Sequence, residues 1–117
     1  MIKPIKNTYR SFSDSVIKEI EYKKLVEGTT CIVSTLSYNW LTSEHDEISL
    51  IFEDCVFFKF FESKRVNSTV ISNALLEESD GIIVFDFFPL YYSEDKILEN
   101  PNSEFIIKSK SLKMIKY

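Results

Sequence analysis

Apolar and polar residues alternate with a period of two along much of the chain, and that period sends successive side chains to opposite faces of an extended strand. Val16–Lys23 sets Val16, Lys18, Ile20 and Tyr22 on one face and Ile17, Glu19 and Glu21 on the other. After a Glu27-Gly28 turn, Thr29–Trp40 places Ile32, Leu36, Tyr38 and Trp40 on one face with Thr30 and Ser34. The two segments predict a hairpin. The run ISLIFEDCVFFKFFE, residues 48–62, carries Ile48, Leu50, Phe52, Val56, Phe58 and Phe60 on its even positions, interrupted by Asp54. This predicts a central strand of an antiparallel sheet, with a bulge, bend or tight turn at Glu53-Asp54.

The remaining segments are shorter. Residues 1–13, with Pro4, read as a loop or short edge segment, and Thr42–Glu47 (TSEHDE) as a charged loop. In Val66–Glu78, Val70, Ile71, Ala74 and Leu75 fall at helical spacing, and Asn67 or Ser68 could cap a helix. The β-branched run at 69–71 favours a strand, whereas Ala-Leu-Leu-Glu-Glu favours a short helix, which is the expectation here. Asp80-Gly81 marks a turn, Ile82–Phe88 a strand closed by Pro89, and Tyr91–Ser103 a loop turning at Asn100-Pro101-Asn102. Phe105–Lys110 and Leu112–Lys116 read as one or two closing strands. Period-two segments outnumber helical ones. The expected fold is therefore α+β and β-dominated: a twisted antiparallel sheet of about five to seven strands with one or two short helices.

Composition changes this picture little. At 117 residues the chain is expected to be a single globular domain, 1–117, large enough to hold a core without disulfide or metal. Aromatics make up 15% of it, which argues against disorder. Charge says more. The net charge is −4, and Arg10 and Arg65 are the only arginines, so no basic excess is available to neutralise phosphates and nucleic acid is not expected as a partner. An acidic surface suits a basic protein partner. Cys31 and Cys55 lie in apolar runs and outside any CxxC or zinc-type spacing, so both are expected to be buried reduced thiols. No stretch reaches roughly 18 apolar residues, and the first residues show no secretory pattern, so a cytoplasmic protein without a membrane span is expected.

Catalytic signatures are sparse. His45 is the single histidine, within Glu44-His45-Asp46-Glu47, and no second histidine or thiolate stands near it to complete a metal site. Two glycines cannot build a phosphate-cradling loop, and no serine stands in an elbow motif. No cofactor, no metal and no enzymatic activity are expected. The rival reading is a small enzyme with a composite carboxylate and His45 site.

Two surface features carry the binding expectation. Acidic clusters stand at Glu44/Asp46/Glu47, Glu77/Glu78/Asp80 and Glu94/Asp95/Glu99, each at a loop or element end. The stretch FDFFPLYY, residues 85–92, leaves Tyr91 and Tyr92 beyond Pro89, as interface anchors or as caps on the core. The expected partner-binding set is Glu44, Asp46, Glu47, Tyr91, Tyr92, Glu94 and Asp95.

FSDSVIKEIEY near the start, ISLIFEDCVFF in the middle and NSEFIIKSKSLKMI at the end resemble a pattern in small β-rich cytoplasmic immunity proteins of bacterial polymorphic-toxin systems and their uncharacterised relatives. The resemblance implies a protein without enzymatic activity that neutralises a toxin by binding it. The alternatives are a phage-encoded inhibitor of a host defence system and a homo-oligomeric subunit such as a homodimer, the last favoured by the aromatic excess.

Overall fold

In the computed structural model, which describes residues 2–62, 70–93 and 96–117 (backbone alone for 91–93 and 96), the longest alternating run is also the middle of the sheet. The elements run α1 Lys3–Tyr9, β1 Ser15–Leu25, β2 Gly28–Asn39, β3 Glu44–Phe60, β4 Val70–Ile71, β5 Leu75–Ser79, β6 Ile82–Asp86, β7 Leu90–Ser93, β8 Lys96–Leu98 and β9 Phe105–Lys116. Seven strands form an antiparallel sheet in the order β4-β1-β2-β3-β9-β6-β5, which curls around one apolar core, and β7 and β8 pair separately. The β-dominated fold read from the alternation is the fold observed.

β3 spans 17 residues and is hydrogen-bonded to β2 on one side and β9 on the other. Its inward residues Ile48, Leu50 and Phe52 are fully buried. The polar interruption marks an irregularity, as expected: Asp54 adopts a left-handed φ of 53°, and the β3–β9 register shifts between Cys55 and Phe57. The shift turns Val56 out to solvent and brings Cys55 against the core, ahead of Phe58 and Phe60.

Four local expectations are corrected. Residues 3–9, expected as loop or edge segment, form α1; Pro4 sits in its first turn, where no amide hydrogen is needed, and Ile5 and Tyr9, four apart, bury one face. Glu44–Glu47 are not loop but the start of β3, so the alternation reaches back to Asp46. The helix expected within 66–78 gives way to β4 and β5, because Asp80 and Gly81, both at positive φ, close a two-residue turn that pairs β5 with β6 along its length. Tertiary pairing here overrides helix propensity. The capping residues Asn67 and Ser68 lie outside the described residues. Finally, the 91–103 loop contains two strands, β7 and β8, with Tyr91 opposite Ile97.

Strand β6 is buried on both faces, and even Asp86 is inaccessible. Its carboxylate accepts the amides of Phe88 at 3.0 Å and Asn100 at 2.7 Å, which anchors the 99–103 turn. Such a satisfied buried acid is structural.

Both cysteines are free, Cys31 buried and Cys55 partly so. Burial first, and the neighbouring Cys55 second, push the Cys31 thiol up to about 12. Thiolate is the reactive form, so Cys31 is expected to stay unlabelled by an aromatic disulfide reagent at pH 8 until denaturant is added. Rapid titration of both thiols in the folded protein would contradict its placement.

Candidate functional site

The connection from β2 to β3 builds the most distinctive corner of the surface. Asn39 Oδ1 accepts the amides of Leu41 at 2.9 Å and Thr42 at 3.1 Å, and Ser43 closes the turn at a φ of 60°. This Asx-type turn projects Trp40 and Leu41 outward, 43% and 72% exposed. The Trp40 amide donates to the Thr8 carbonyl of α1 at 2.9 Å, so the exposed ring stands on a fixed backbone.

Aromatic and basic groups gather around it. Tyr38 meets Trp40 edge to face at 5.0 Å, and across the strand pair it meets His45 at 5.2 Å. The Arg10 guanidinium lies 4.2 Å from the centre of the Trp40 ring. Arg10, Phe12 and Asp14 all take left-handed φ values of 54–62°, a conformation costly for residues other than glycine. The loop is held there by Asp14 N–H donating to the Ile71 carbonyl at 2.7 Å and Ser15 N–H to the Phe12 carbonyl at 3.1 Å. The result is a hollow of about 360 Å³ lined by Ser13, Asp14, Tyr38, Trp40 and His45.

Three carboxylates are exposed on the segments that form this corner: Asp14, Glu44 and Glu47. Asp46, expected with them as a contact residue, points the other way. It is 8% exposed, and its Oδ2 accepts Tyr9 Oη at 2.8 Å and Asn39 Nδ2 at 2.8 Å, with Lys116 Nζ at 3.5 Å. Strand alternation turns His45 and Glu47 to solvent and Asp46 inward, opposite buried Ser37, while Glu44, on the same face as Asp46, is exposed as the first residue of the strand. Burial opposes its charge, but the Asn39 and Tyr9 hydrogen bonds and the Lys116 ammonium hold the carboxyl below its ordinary range. Asp46 is a structural strut.

The other expected contact residues lie elsewhere. Tyr91 and Tyr92 belong to β7, with side chains outside the described set, and Glu94 and Asp95 are outside the described residues. Ile97, the partner of Tyr91, lines a second hollow of about 310 Å³ together with Lys6, Arg10, Leu75 and Glu77. Arg10 therefore stands between the Trp40 corner and the β7–β8 hairpin. Trp40 itself was absent from the expected set; its place beside the charged TSEHDE turn was the available signal.

Ser13, Asp14 and His45 line one hollow, yet among the described residues no hydrogen bond joins any two of them, so a nucleophile–base pair is not assembled in this geometry. Among the described residues no three His, Cys, Asp or Glu side chains converge as metal ligands, and no helix is long and apolar enough to cross a membrane. Comparison with protein-family models, curated proteins and solved structures found no match.

Proposed function

We propose that this chain is a binding protein without enzymatic activity that neutralises a basic protein partner, as a toxin-immunity protein or a similar inhibitor does. The observation that carries the reading is the exposed Trp40 corner: a fixed, half-exposed tryptophan with Tyr38 and Arg10 against it, Asp14 lining the same hollow, and Glu44 and Glu47 exposed on the strand that follows. Trp, Tyr and Arg are the residues that dominate binding energy at protein interfaces, while surrounding charges mainly set the association rate.

The test is co-expression with the product of the adjoining gene, scored by cell growth and by the stoichiometry of any complex. A one-to-one complex that relieves growth inhibition is expected. Trp40→Ala should weaken that complex on the order of 30-fold, about 2 kcal/mol, with little change in melting temperature. Glu44→Lys with Glu47→Lys should slow association and flatten its salt dependence. A complex indifferent to all three substitutions would remove this surface from the proposal.

Self-association is a second reading, favoured by Val56, Phe57 and Phe61, which are exposed along and just beyond the far half of β3. Light scattering decides it, since a strict monomer at high concentration leaves that patch without a symmetric partner.

A further inference from the structure

We infer that the hollow lined by Ser13, Asp14, Tyr38, Trp40 and His45 is a receptor for a single arginine side chain presented by the partner. The inference rests on the binding reading above and names the chemistry at its centre.

Three features of the hollow point to a guanidinium. Its walls are aromatic, with Tyr38 edge-on to Trp40 at 5.0 Å and edge-on to His45 at 5.2 Å, so that ring faces and edges border one space of about 360 Å³. Aromatic faces carry negative potential and attract cations, tryptophan most strongly. The same ring already holds one guanidinium, that of Arg10 at 4.2 Å, from outside the hollow, so a second one needs the rim to offset its charge. The rim supplies the matching charge: Asp14 is an exposed carboxylate with no hydrogen-bond partner among the described residues, and Ser13 adds a hydroxyl acceptor. A guanidinium is planar enough to stack and carries donors in a fork that fits a carboxylate, whereas an ammonium is a compact, strongly hydrated charge. A neutral apolar side chain would leave the Asp14 carboxylate desolvated and unpaired.

The backbone around the hollow is prepared for such a ligand. Asp14 holds a φ of 62° and Ser43, on the opposing turn, a φ of 60°. Both are fixed by backbone hydrogen bonds, from Asp14 N–H to the Ile71 carbonyl and from Ser43 N–H to the Asn39 carbonyl at 2.8 Å. A carboxylate held on a pinned loop loses little conformational freedom when a cation docks.

Trp40 is the single tryptophan, so its indole N–H resonance and its fluorescence report on this site alone. The full-length protein is titrated with N-acetyl-arginine methylamide, with the citrulline amide as the neutral isostere and the lysine amide as the alternative cation. The arginine amide should shift the indole resonance saturably, with binding roughly tenfold tighter than the citrulline amide. Asp14→Asn should weaken arginine binding about threefold, and asparagine tolerates the left-handed backbone that position requires, so the fold survives. Equal shifts from the arginine and citrulline amides, the absence of any saturable shift, or tighter binding of lysine would overturn the assignment. If the arginine amide fails while Trp40→Ala still weakens the complex with the adjoining-gene product or Glu44→Lys with Glu47→Lys still slows its association, the receptor assignment falls and the binding reading stands; if all three substitutions are silent too, both fall.

Discussion

Asp46→Ala is expected to lower the unfolding free energy by about 3–5 kcal/mol, because it leaves buried donors without an acceptor. Tyr9 is 1% exposed and Asn39 5% exposed, and both donate to the same Asp46 oxygen. The carboxylate also faces Lys116 at 3.5 Å, so a single group joins α1, the end of β2 and the end of β9. Asp46→Asn keeps the shape and one acceptor but loses the charge, and should cost less, on the order of 1–2 kcal/mol.

The pH dependence follows from the direction of the Asp46 shift. Its folded-state pKa lies below the ordinary value of 3.8, so the stability it contributes is fully present above that value. It is lost as pH falls through the lower, folded value. Urea unfolding of wild type and Asp46→Asn between pH 6 and pH 2.5 should show the two stabilities converging in acid. An Asp46→Ala variant within about 1 kcal/mol of wild type, or parallel acid curves, would contradict the strut assignment.

The second large effect is expected at Phe85. It has no exposed surface, and its ring meets Phe12 at 5.2 Å, Phe52 at 5.8 Å and Phe87 at 4.4 Å. Phe87 in turn stacks on Phe105 at 3.6 Å, and Phe105 meets Phe60. A chain of rings thus links the loop after α1 to β3, β6 and β9. Phe85→Ala should cost roughly 3–5 kcal/mol through lost burial and the cavity left behind, a large part of a small domain's stability. Phe85→Leu, which keeps most of the volume, should cost about 1–2 kcal/mol and remain folded. A double-mutant cycle with Phe12→Leu should show coupling of about 0.5–1.5 kcal/mol, measured by chemical denaturation. Strict additivity would mean that the two rings do not share a packing unit.

The candidate site was half legible. The charged stretch TSEHDE announced Glu44 and Glu47 as exposed, and both are, though at the start of strand β3 rather than on a loop. Asp46 was read with them because acidity carries no direction. Only the strand register, which sets Asp46 opposite buried Ser37, turns it inward to Tyr9. Arg10 and Asp14 stand about thirty residues before Trp40, and no local pattern joins them to it. The contact exists because the Trp40 amide is tied to Thr8 and the loop after α1 folds back against β4.

The sequence by itself determined the elements that depend on alternation and turn chemistry. The hairpin of β1 and β2, the long ribbon of β3 with its break at Asp54, the Asp80-Gly81 turn and the closing strand β9 were all readable, because side-chain period and left-handed turn residues are local properties. The tertiary structure decided which face of each strand is inside. In β2 the buried set is Cys31, Val33, Thr35, Ser37 and Asn39, while the more apolar Ile32, Leu36 and Tyr38 stay half-exposed. Alternation specifies two faces but does not rank them. Pairing does: Val33 lies beside Leu50 and Thr35 beside Ile48, and the buried run of Ile48, Leu50 and Phe52 on β3 carries that side of β2 into the core with it.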